Sequence, residues 1–458
     1  MEPEKPSLTS RRQFLARTGG AAASVLAGVS LPAVHAQGSS LIRVALIGCG
    51  GRGSGAAYNA LSTKGGPIQL VAMADAYEDR LKSSYLGLSN ALKDKVDVPE
   101  DRRFVGFDAY KHAMDCLKPG DVAIFATPPA FRWVHFQYAL QKGLHVFMEK
   151  PVTVDGPTSK RMLQMAEEAT AKNLKVGVGL MSRHARNLQE LQQRVQNGEL
   201  GEILLMRGYR MHGPVAFFES RPKPPNISEL EYQVRRFHSF LWASGGAFSD
   251  FYIHIIDHLC WMKNAWPVKA QALGGRHYKT APDGTPFVDQ NFDTYSVEYV
   301  FADGTRLLFN GRCINGAEGI YSSYLHGTKG FAIASRSNDC GGPSAIYRGQ
   351  DATGMPLWQS RDNSNPYQNE WDALISAIRN NKPFNELKRG VEASVVTSMG
   401  RMAAHTGREI TYEQMLNCPH EFAPGLDRLT ADSPAPLQAD AQGRYPVPKP
   451  GILTDREY

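Results

Sequence analysis

The side chains best suited to acid–base chemistry stand close together in one stretch of the chain. Residues 245–262 read GGAFSDFYIHIIDHLCWM, and Asp250, His254, Asp257 and Trp261 follow one another at helical spacing, so a helix would place them on one stripe. The residues between them are strongly apolar, which favours a mostly buried helix, and buried titratable groups are candidates for a functional site. The alternative is that the stripe is the solvated face of an amphipathic helix, and the pattern alone does not decide between the two.

A second stretch predicts a turn that binds a dinucleotide. The apolar run 41–47 ends directly in a G-x-G-x-x-G sequence, whose glycines would allow a sharp turn, close approach of a pyrophosphate and tight packing of the next helix. The next predicted strand, 69–74, ends in Asp75, whose carboxylate would accept hydrogen bonds from a ribose and repel a 2′-phosphate. We therefore predict NAD rather than NADP as the cofactor. Besides Asp75, its predicted contacts in this stretch are Gly48, Cys49, Gly50, Gly51, Arg52 and Gly53.

Two later strand ends supply further candidates. The predicted strand 122–126 runs into Thr127, Pro128 and Pro129, and the prolines would hold a rigid loop at the strand's carboxyl end, where α/β folds bind ligands. The predicted strand 145–148 ends in Glu149-Lys150-Pro151. A lysine at this place is suited to stabilising a developing alkoxide.

The glycine fingerprint, the Thr-Pro-Pro loop and the Glu-Lys-Pro ending together resemble the Gfo/Idh/MocA family of glucose–fructose oxidoreductases and inositol dehydrogenases. The family pattern G-G-x-x-x-D-x-x-x-H-x-x-D is matched by Gly245, Gly246, Asp250, His254 and Asp257, which favours the functional interpretation of the stripe.

The resemblance implies roles for individual residues. Lys150 would lie between nicotinamide and substrate and hold the reacting oxygen, His254 would move the hydroxyl proton, and Asp250 would orient His254. The Thr-Pro-Pro loop and Glu149 would join the cofactor site. Further substrate contacts are predicted at Arg183, His184, Tyr209 and Asp257.

The order of predicted elements gives the fold class. Alternating strands and helices predict an α/β protein with an amino-terminal Rossmann domain, a doubly wound parallel sheet. Neighbouring strands after residue 185 predict a carboxyl-terminal α+β domain on an open, mostly antiparallel sheet, with a hairpin at Asp303-Gly304. The predicted segments are a signal peptide (1–36), a nucleotide domain (37–182), a substrate domain (183–410) whose last helices (366–407) pack back on the nucleotide domain, and a proline-rich tail (411–458).

The amino-terminal residues have the pattern of an export signal. Ser10-Arg11-Arg12-Gln13-Phe14-Leu15 precedes an apolar stretch and the small-residue site Val34-His35-Ala36, the order of blocks typical of a twin-arginine signal. We predict export to the periplasm by the twin-arginine machinery, with no membrane span in the mature form. Because this route carries folded proteins, we also expect NAD to be loaded in the cytoplasm and bound tightly.

Composition narrows the classes of partner. The net charge is +6, but the basic residues form no cluster in the sequence, so we predict no nucleic-acid partner. The six cysteines show no C-x-x-C spacing and are expected to be buried free thiols. His254 and His258 lack the glutamate of H-E-x-x-H and an evident third ligand, so no metal is predicted.

These features predict an exported NAD-dependent oxidoreductase acting on CH–OH groups of a sugar or sugar derivative, as a homodimer or homotetramer formed through the carboxyl-terminal sheet. The first alternative is an NAD-dependent, redox-neutral glycosidase that oxidises C3, eliminates the C1 substituent, adds water and reduces the ketone again. The second alternative is a non-catalytic sugar-binding protein. The segment 214–225 could be a lid or a surface loop. Residues 326–330 resemble a phosphate loop only superficially, and we predict a turn there.

Overall fold

The amino-terminal half of the protein is built on a parallel sheet of six strands. The computed structural model describes residues 40–277 and 279–458, and the predicted export signal lies outside these residues. The strands run in the order β3-β2-β1-β4-β5-β6, the doubly wound order of a Rossmann domain, which confirms the predicted fold class. Their bounds are β1 Ile42–Ile47, β2 Ile68–Asp75, β3 Arg103–Val105, β4 Val122–Phe125, β5 His145–Met148 and β6 Val176–Val178.

Helices cover both faces of this sheet, and for that reason its strands are almost continuously apolar. In β1, for example, five of the six residues are buried. The helices are α1 Gly51–Ser62, α2 Glu78–Ala91, α3 Ala109–Asp115, α4 Arg132–Lys142 and α5 Gly156–Ala171.

Two glycines fix the turn after β1. Gly48 has a φ of +94°, and a Cβ atom there would lie 2.6 Å from the carbonyl carbon of Ala126, at the end of the neighbouring β4. A Cβ atom on Gly53 would lie 1.9 Å from the oxygen of Gly48. Any side chain at either position would therefore push β1, β4 and the first turn of α1 apart.

The second half is built on a sheet of nine strands in the order β14-β13-β12-β11-β7-β10-β9-β8-β15. Only the pair β7 and β10 is parallel, so the prediction of a mostly antiparallel sheet is confirmed. Its strands are β7 Ile203–His212, β8 Lys269–Gly275, β9 Thr294–Val300, β10 Arg306–Cys313, β11 Ile320–Gly327, β12 Gly330–Ser335, β13 Ala345–Tyr347, β14 Trp358–Gln359 and β15 Ile410–Thr411. The sequence analysis did not predict β12, β13, β14 or β15.

Both short turns expected in this half are present. Phe301 and Thr305 close the turn between β9 and β10, and Gly327 pairs with Gly330 between β11 and β12, so residues 326–330 form a hairpin turn, as predicted.

One face of the nine-stranded sheet is covered by the helix that carries the predicted acid–base stripe, α9 Gly246–Lys263. Ile255 and Leu259 of this helix sit directly over Gly208 of β7. The other helices of this half are α6 Arg186–Gln196, α7 Glu229–Arg235, α8 Leu241–Ser244, α10 Pro366–Arg379, α11 Leu387–Thr406 and α12 Tyr412–Asn417.

The last helices contact the nucleotide-binding half. In α10, the buried Trp371 packs on Phe147 of β5 with ring centroids 4.6 Å apart. In α11, Arg401 donates to the carbonyl of Val154, 2.9 Å away, just beyond β5. These contacts bring the carboxyl ends of the parallel strands against α9.

The proline-rich tail packs on its own chain. Gln290 donates to the carbonyl of Pro446 at 2.6 Å, and the hydroxyl of Tyr445 donates to Glu229 at 2.6 Å. Across residues 40–277 and 279–458, none of the helices is long and apolar enough to cross a membrane.

Candidate active site

A cavity of about 520 Å³ lies between the carboxyl ends of the parallel strands and helix α9. It is lined by residues of the predicted dinucleotide turn, of the two later strand ends and of the acid–base helix. Several residues that the sequence analysis did not single out also line it. The predicted residues in its wall are Gly48, Gly50, Gly51, Arg52, Asp75, Thr127, Pro128, Pro129, Glu149, Lys150, Asp250 and His254. This position, at the switch point between β1 and β4, is where open α/β sheets bind ligands.

At one end of the cavity, Asp75 is held by main-chain amides. Its carboxylate accepts from the amide of Cys49 at 2.7 Å and from that of Tyr77 at 3.0 Å. Burial raises the pKa of Asp75, an effect that these two amides oppose. Cys49 and Gly53 lie outside the lining, so Cys49 contributes its main-chain amide rather than its buried thiol.

The start of α1 fits the pyrophosphate of a dinucleotide. Gly50 is the residue that caps this helix, and no side chain occupies the free amides of its first turn. A Cβ atom on Gly51 would meet no atom within 4 Å, and one on Gly50 would lie 3.7 Å from a guanidinium nitrogen of Arg80. Free amides, a helix amino terminus and a nearby cation together form an anion site.

Two arginines organise the strand ends beneath the cavity. Arg52 donates to the buried carboxylate of Glu149 at 3.1 Å, and its guanidinium stacks 4.5 Å from the ring centre of Tyr367. Arg132 donates to the carbonyl of Glu149 at 2.9 Å and to the hydroxyl of Thr127 at 2.9 Å, so it ties the Thr-Pro-Pro loop to the Glu-Lys-Pro strand end. Burial lowers the pKa of Arg132 to about 10. The sequence analysis did not single out Arg132, because an arginine at the start of a helix is usually expected to be a surface residue.

At the other end of the cavity, Asp250 lies between two positively polarised groups. Lys150 approaches its Oδ1 at 3.3 Å and also donates to its main-chain carbonyl, while Nε2 of His238 lies 3.2 Å from its Oδ2. Burial alone would raise the pKa of Asp250, but the Lys150 charge and the His238 hydrogen bond hold this pKa below its ordinary value. The carboxylate is therefore ionised.

His254 sits one helical turn further along α9. It is buried, and its Nδ1 has no hydrogen-bond partner among the described residues, which leaves Nε2 as the nitrogen able to reach a ligand in the cavity. Burial lowers the pKa of His254 to about 4, so the imidazole is neutral at physiological pH. The resemblance implied that Asp250 orients His254, but in the structure Asp250 bonds Lys150 and His238 instead.

A charged pair completes the wall around His254. Nη1 of Arg210, in β7, lies 3.6 Å from Oδ1 of Asp339, and the hydroxyl of Tyr321 also donates to that oxygen. Asp339 belongs to the turn after β12, a strand that the sequence analysis did not predict. No local sequence pattern marks Arg210 or Asp339 as a residue of the site.

The opposite side of the cavity is aromatic. Phe217, Phe237 and Phe251 line it together with His238, whose ring lies 3.8 Å from that of Phe237 between centroids. Phe217 belongs to the segment 214–225, so part of this segment lines the cavity.

The four predicted substrate contacts, Arg183, His184, Tyr209 and Asp257, lie outside the cavity lining. Arg183 forms a two-point ion pair with the buried Asp257 at 2.8 and 2.9 Å. The buried His184 pairs with Glu386 at 3.0 Å. Tyr209 points away from α9, because Gly208 and Arg210 on either side of it point towards that helix. The periodicity of α9 correctly placed Asp257 on the same helix face as Asp250 and His254. Its partner Arg183, however, packs over it outside the cavity, so Asp257 does not face a ligand.

The remaining candidates have ordinary partners. His258 bonds the hydroxyl of Ser323 at 2.8 Å. In the part of the chain that the structure describes, no group of three or more histidines, cysteines or acidic residues is arranged to hold a metal ion. All six cysteines are free, three of them buried and three half-buried.

Fold and site together define an α/β protein with a dinucleotide cavity that is faced by a half-buried lysine and by a buried aspartate and histidine. Two family models match the chain: residues 42–180 match the oxidoreductase family, NAD-binding Rossmann fold, and residues 188–333 match the GFO/IDH/MocA C-terminal domain. These matches span more than half of the chain. The protein therefore belongs to the Gfo/Idh/MocA family, as its motifs predicted.

Individual relatives are distant. The chain is 29% identical over 125 residues to inositol 2-dehydrogenase of Corynebacterium glutamicum. The aligned residues make up 27% of this chain and 35% of that protein. It is 29% identical over 168 residues to D-glucoside 3-dehydrogenase of Escherichia coli, covering 37% of this chain and 43% of that protein. The chain thus spans less than half the length of either relative.

A solved structure resembles most of the chain. Aldose-aldose oxidoreductase from Caulobacter crescentus, complexed with glycerol, superposes with a TM-score of 0.61 at 15% identity, covering 81% of this chain and 100% of that one. At this identity the likeness establishes the fold alone.

Proposed function

We propose that the protein is an NAD-dependent oxidoreductase that transfers hydride between the CH–OH group of a sugar or polyol and nicotinamide. The observation that carries this proposal is that one cavity joins the dinucleotide turn to Lys150, Asp250 and His254. The dinucleotide, when bound, supplies the hydride acceptor. The relatives named above, an inositol dehydrogenase and a glucoside dehydrogenase, are consistent with this reaction class.

Each residue has a role that follows from its surroundings. His254 is neutral and unpaired, so its Nε2 is suited to take the hydroxyl proton during oxidation. Lys150 is a cation that stabilises the developing alkoxide. Asp250 holds Lys150 in place through its carboxylate.

The charges around the substrate end favour an uncharged substrate. The two cations beside His254 each have a carboxylate partner, Lys150 with Asp250 and Arg210 with Asp339. A substrate phosphate or carboxylate would find both of these cations already paired, whereas hydroxyl groups can bond these charged pairs and the aromatic wall can cover a sugar ring. We therefore infer a neutral sugar, glycoside or polyol.

We further propose that NAD is preferred to NADP, that it is bound tightly, and that the protein is exported. The preference rests on Asp75, whose carboxylate would repel a 2′-phosphate. Export and tight binding rest on the twin-arginine pattern at Arg11 and Arg12. The open face of the nine-stranded sheet is the surface we propose for a homodimer or homotetramer.

The redox-neutral glycosidase remains a second candidate because the cavity holds more proton-transfer groups than a single oxidation uses. His238 lines the same cavity as His254, and its Nε2 lies 3.2 Å from Oδ2 of Asp250. Elimination and hydration need a base for the C2 proton and an acid for the leaving group in addition to the base for the hydroxyl.

The first experiment is mass spectrometry of nucleotide released by denaturing the purified protein, followed by assays with added NAD or NADP. We expect about one NAD or NADH per chain, and nicotinamide reduction by neutral sugars or glycosides. Aryl glycosides test the second candidate, since aryl release without net nicotinamide reduction is its signature. A protein that carries no nucleotide and reduces neither NAD nor NADP with any sugar would contradict the proposal.

A further inference from the structure

We propose that Asp339 is a positioning residue of the reaction: from the turn after β12, it stabilises the protonated form of His254 during substrate oxidation. This inference rests on the proposed function and deepens it, because it assigns the partner that a histidine base requires. It also replaces the role that the sequence assigned to Asp250.

His254 needs such a partner because of where the proton goes. In oxidation, the C–H bond breaks with its electron pair passing to oxidised nicotinamide, and the O–H bond breaks with its proton passing to Nε2 of His254. The products are a carbonyl, reduced nicotinamide and an imidazolium ion. That ion forms inside a cavity whose nearby cations are Lys150 and Arg210, so an unassisted positive charge there would be costly.

Asp250 is not available for this task. Its Oδ1 faces Lys150 at 3.3 Å and its Oδ2 faces His238 at 3.2 Å. Both oxygens are therefore committed to other groups, and His254 makes no hydrogen bond to Asp250.

Asp339 has the required position and charge. It lines the same cavity as His254, and its Oδ1 is fixed by Arg210 at 3.6 Å and by the hydroxyl of Tyr321. Burial would raise the pKa of Asp339, but His254, Arg210 and Tyr321 hold this pKa below its ordinary value, so the carboxylate stays ionised.

The turn that carries Asp339 is closed by its own hydrogen bonds. The buried hydroxyl of Ser335 donates to the carbonyls of Ser337 at 3.0 Å and Asn338 at 2.7 Å. The amide of Gly341 donates to the carbonyl of Ser337 at 2.9 Å. A closed turn holds the carboxylate in one place, as electrostatic support of a transient charge requires.

The balance of charge around His254 depends on residues from several elements. The cations oppose protonation and the carboxylates favour it, and among these groups Asp339 has the largest influence on the pKa of His254 after burial. The titratable and charged groups that interact electrostatically with His254 are Asp339, Lys150, Arg210, Glu149 and His258.

The test is the pH profile of sugar oxidation by full-length Asp339→Asn, compared with the wild type and with Asp351→Asn. Asp351 is an exposed carboxylate in the turn after β13 and serves as the matched control. We expect Asp339→Asn to lower kcat about 10-fold to 100-fold, less than the loss of the base itself. Because Asp339 raises the pKa of His254, its removal should also move the acidic limb of the kcat/KM profile to lower pH by about one unit.

The conservative variant Asp339→Glu should recover most of kcat and return the acidic limb towards its original pH. If Asp339→Asn fails to fold, as judged by circular dichroism, Asp339→Ser takes its place, because a serine is smaller and needs no space that the aspartate did not fill. A lowered kcat with an unmoved acidic limb would mean that Asp339 is only structural, and the inference would be overturned.

Failure of the proposed function gives a different result. If the wild type oxidises no sugar with NAD or NADP, the proposed function fails while the charge relation stays testable by NMR titration of ¹⁵N-labelled histidines in the full chain. In that measurement, a His254 pKa that does not fall in Asp339→Asn would overturn the inference independently of turnover.

Discussion

Two charge clusters adjoin each other near the start of helix α9 and have opposite designs. The cavity cluster consists of Lys150, Asp250, His254, Arg210 and Asp339, and it leaves Nδ1 of His254 without a hydrogen-bond partner among the described residues. The anchor cluster consists of Arg401, His405 and Glu457. It is fully buried, and each of its charged groups has a close partner.

The anchor cluster connects three parts of the chain: helix α11, the start of α9 and the carboxyl-terminal tail. Arg401 donates to Glu457 at 2.8 and 2.9 Å, to the carbonyl of Gly245 at 3.1 Å and to the hydroxyl of Ser249 at 2.7 Å. His405 lies 2.6 Å from Glu457 on its other side. The tail is thereby fastened to the start of α9, one residue before Asp250.

The difference shows how burial can serve either stability or chemistry. A buried charge with every partner in place stabilises the arrangement around it, whereas a buried group without a partner has a cost that only a ligand or a transferred proton can offset. Variants in the two clusters should therefore separate activity from stability.

The largest expected effect is the loss of the base in the cavity cluster. We expect His254→Ala to lower kcat by about 10²-fold to 10⁴-fold, since the variant lacks the imidazole proposed to take the hydroxyl proton. The free energy of unfolding should change by no more than about 1 kcal/mol, because no hydrogen bond is broken. Turnover assays and chemical unfolding of the same preparation measure both quantities. Unchanged turnover would remove His254 from the mechanism.

The next effect is on stability and belongs to the anchor cluster. Glu457→Ala leaves the Arg401 charge buried and unpaired, so we expect the free energy of unfolding to fall by about 3 to 5 kcal/mol. The matched control is Glu421→Ala, which breaks the partly exposed pair with Arg161 at 2.6 Å and should cost at most about 1 kcal/mol. Equal losses in the two variants, measured by chemical unfolding, would show that the anchor cluster contributes no more than a surface pair.

The smallest effect is a dependence of stability on pH. Burial would raise the pKa of Glu457, but Arg401 and His405 lower it to about 2. Because the pKa in the folded state is below that in the unfolded chain, the unfolded state binds more protons as the pH falls. The contribution of Glu457 is therefore complete above about pH 4.5 and is lost between there and about pH 2, amounting to about 3 kcal/mol.

This pH dependence is checked by unfolding the wild type and Glu457→Ala at a series of pH values from about pH 6 to about pH 3. We expect the difference between the two proteins to shrink as the pH falls. A difference that stays constant would mean that the native pKa of Glu457 is not depressed.

Local patterns predicted the nucleotide end of the cavity well. The turn from Gly48 to Gly53, Asp75 at the end of β2 and the Thr-Pro-Pro loop are each set by a few consecutive residues, because a strand that ends in glycine or proline has few conformations available. Of the predicted cofactor residues, only Cys49 and Gly53 lie outside the cavity wall, and both lie in the turn that shapes it.

The substrate end was predicted less completely. The spacing on α9 places Asp250, His254 and Asp257 on one face of a helix, but it does not say what packs against that face. Asp257 meets Arg183 in the interior, while Asp250 meets Lys150 and His238 in the cavity. The same residue type on the same stripe therefore has two different surroundings.

The sequence by itself determined the alternation of strands and helices in the nucleotide-binding half, the dinucleotide turn, the acid–base helix and the family. These depend on periodicity and on contiguous motifs, which are properties of short stretches of chain. The tertiary structure decided the partners, bringing Arg132, Arg210, His238 and Asp339 to the cavity from four separate segments. The physical reason is that a side chain's charge state and contacts depend on what folds against it, and those neighbours are set by packing between residues far apart in the chain.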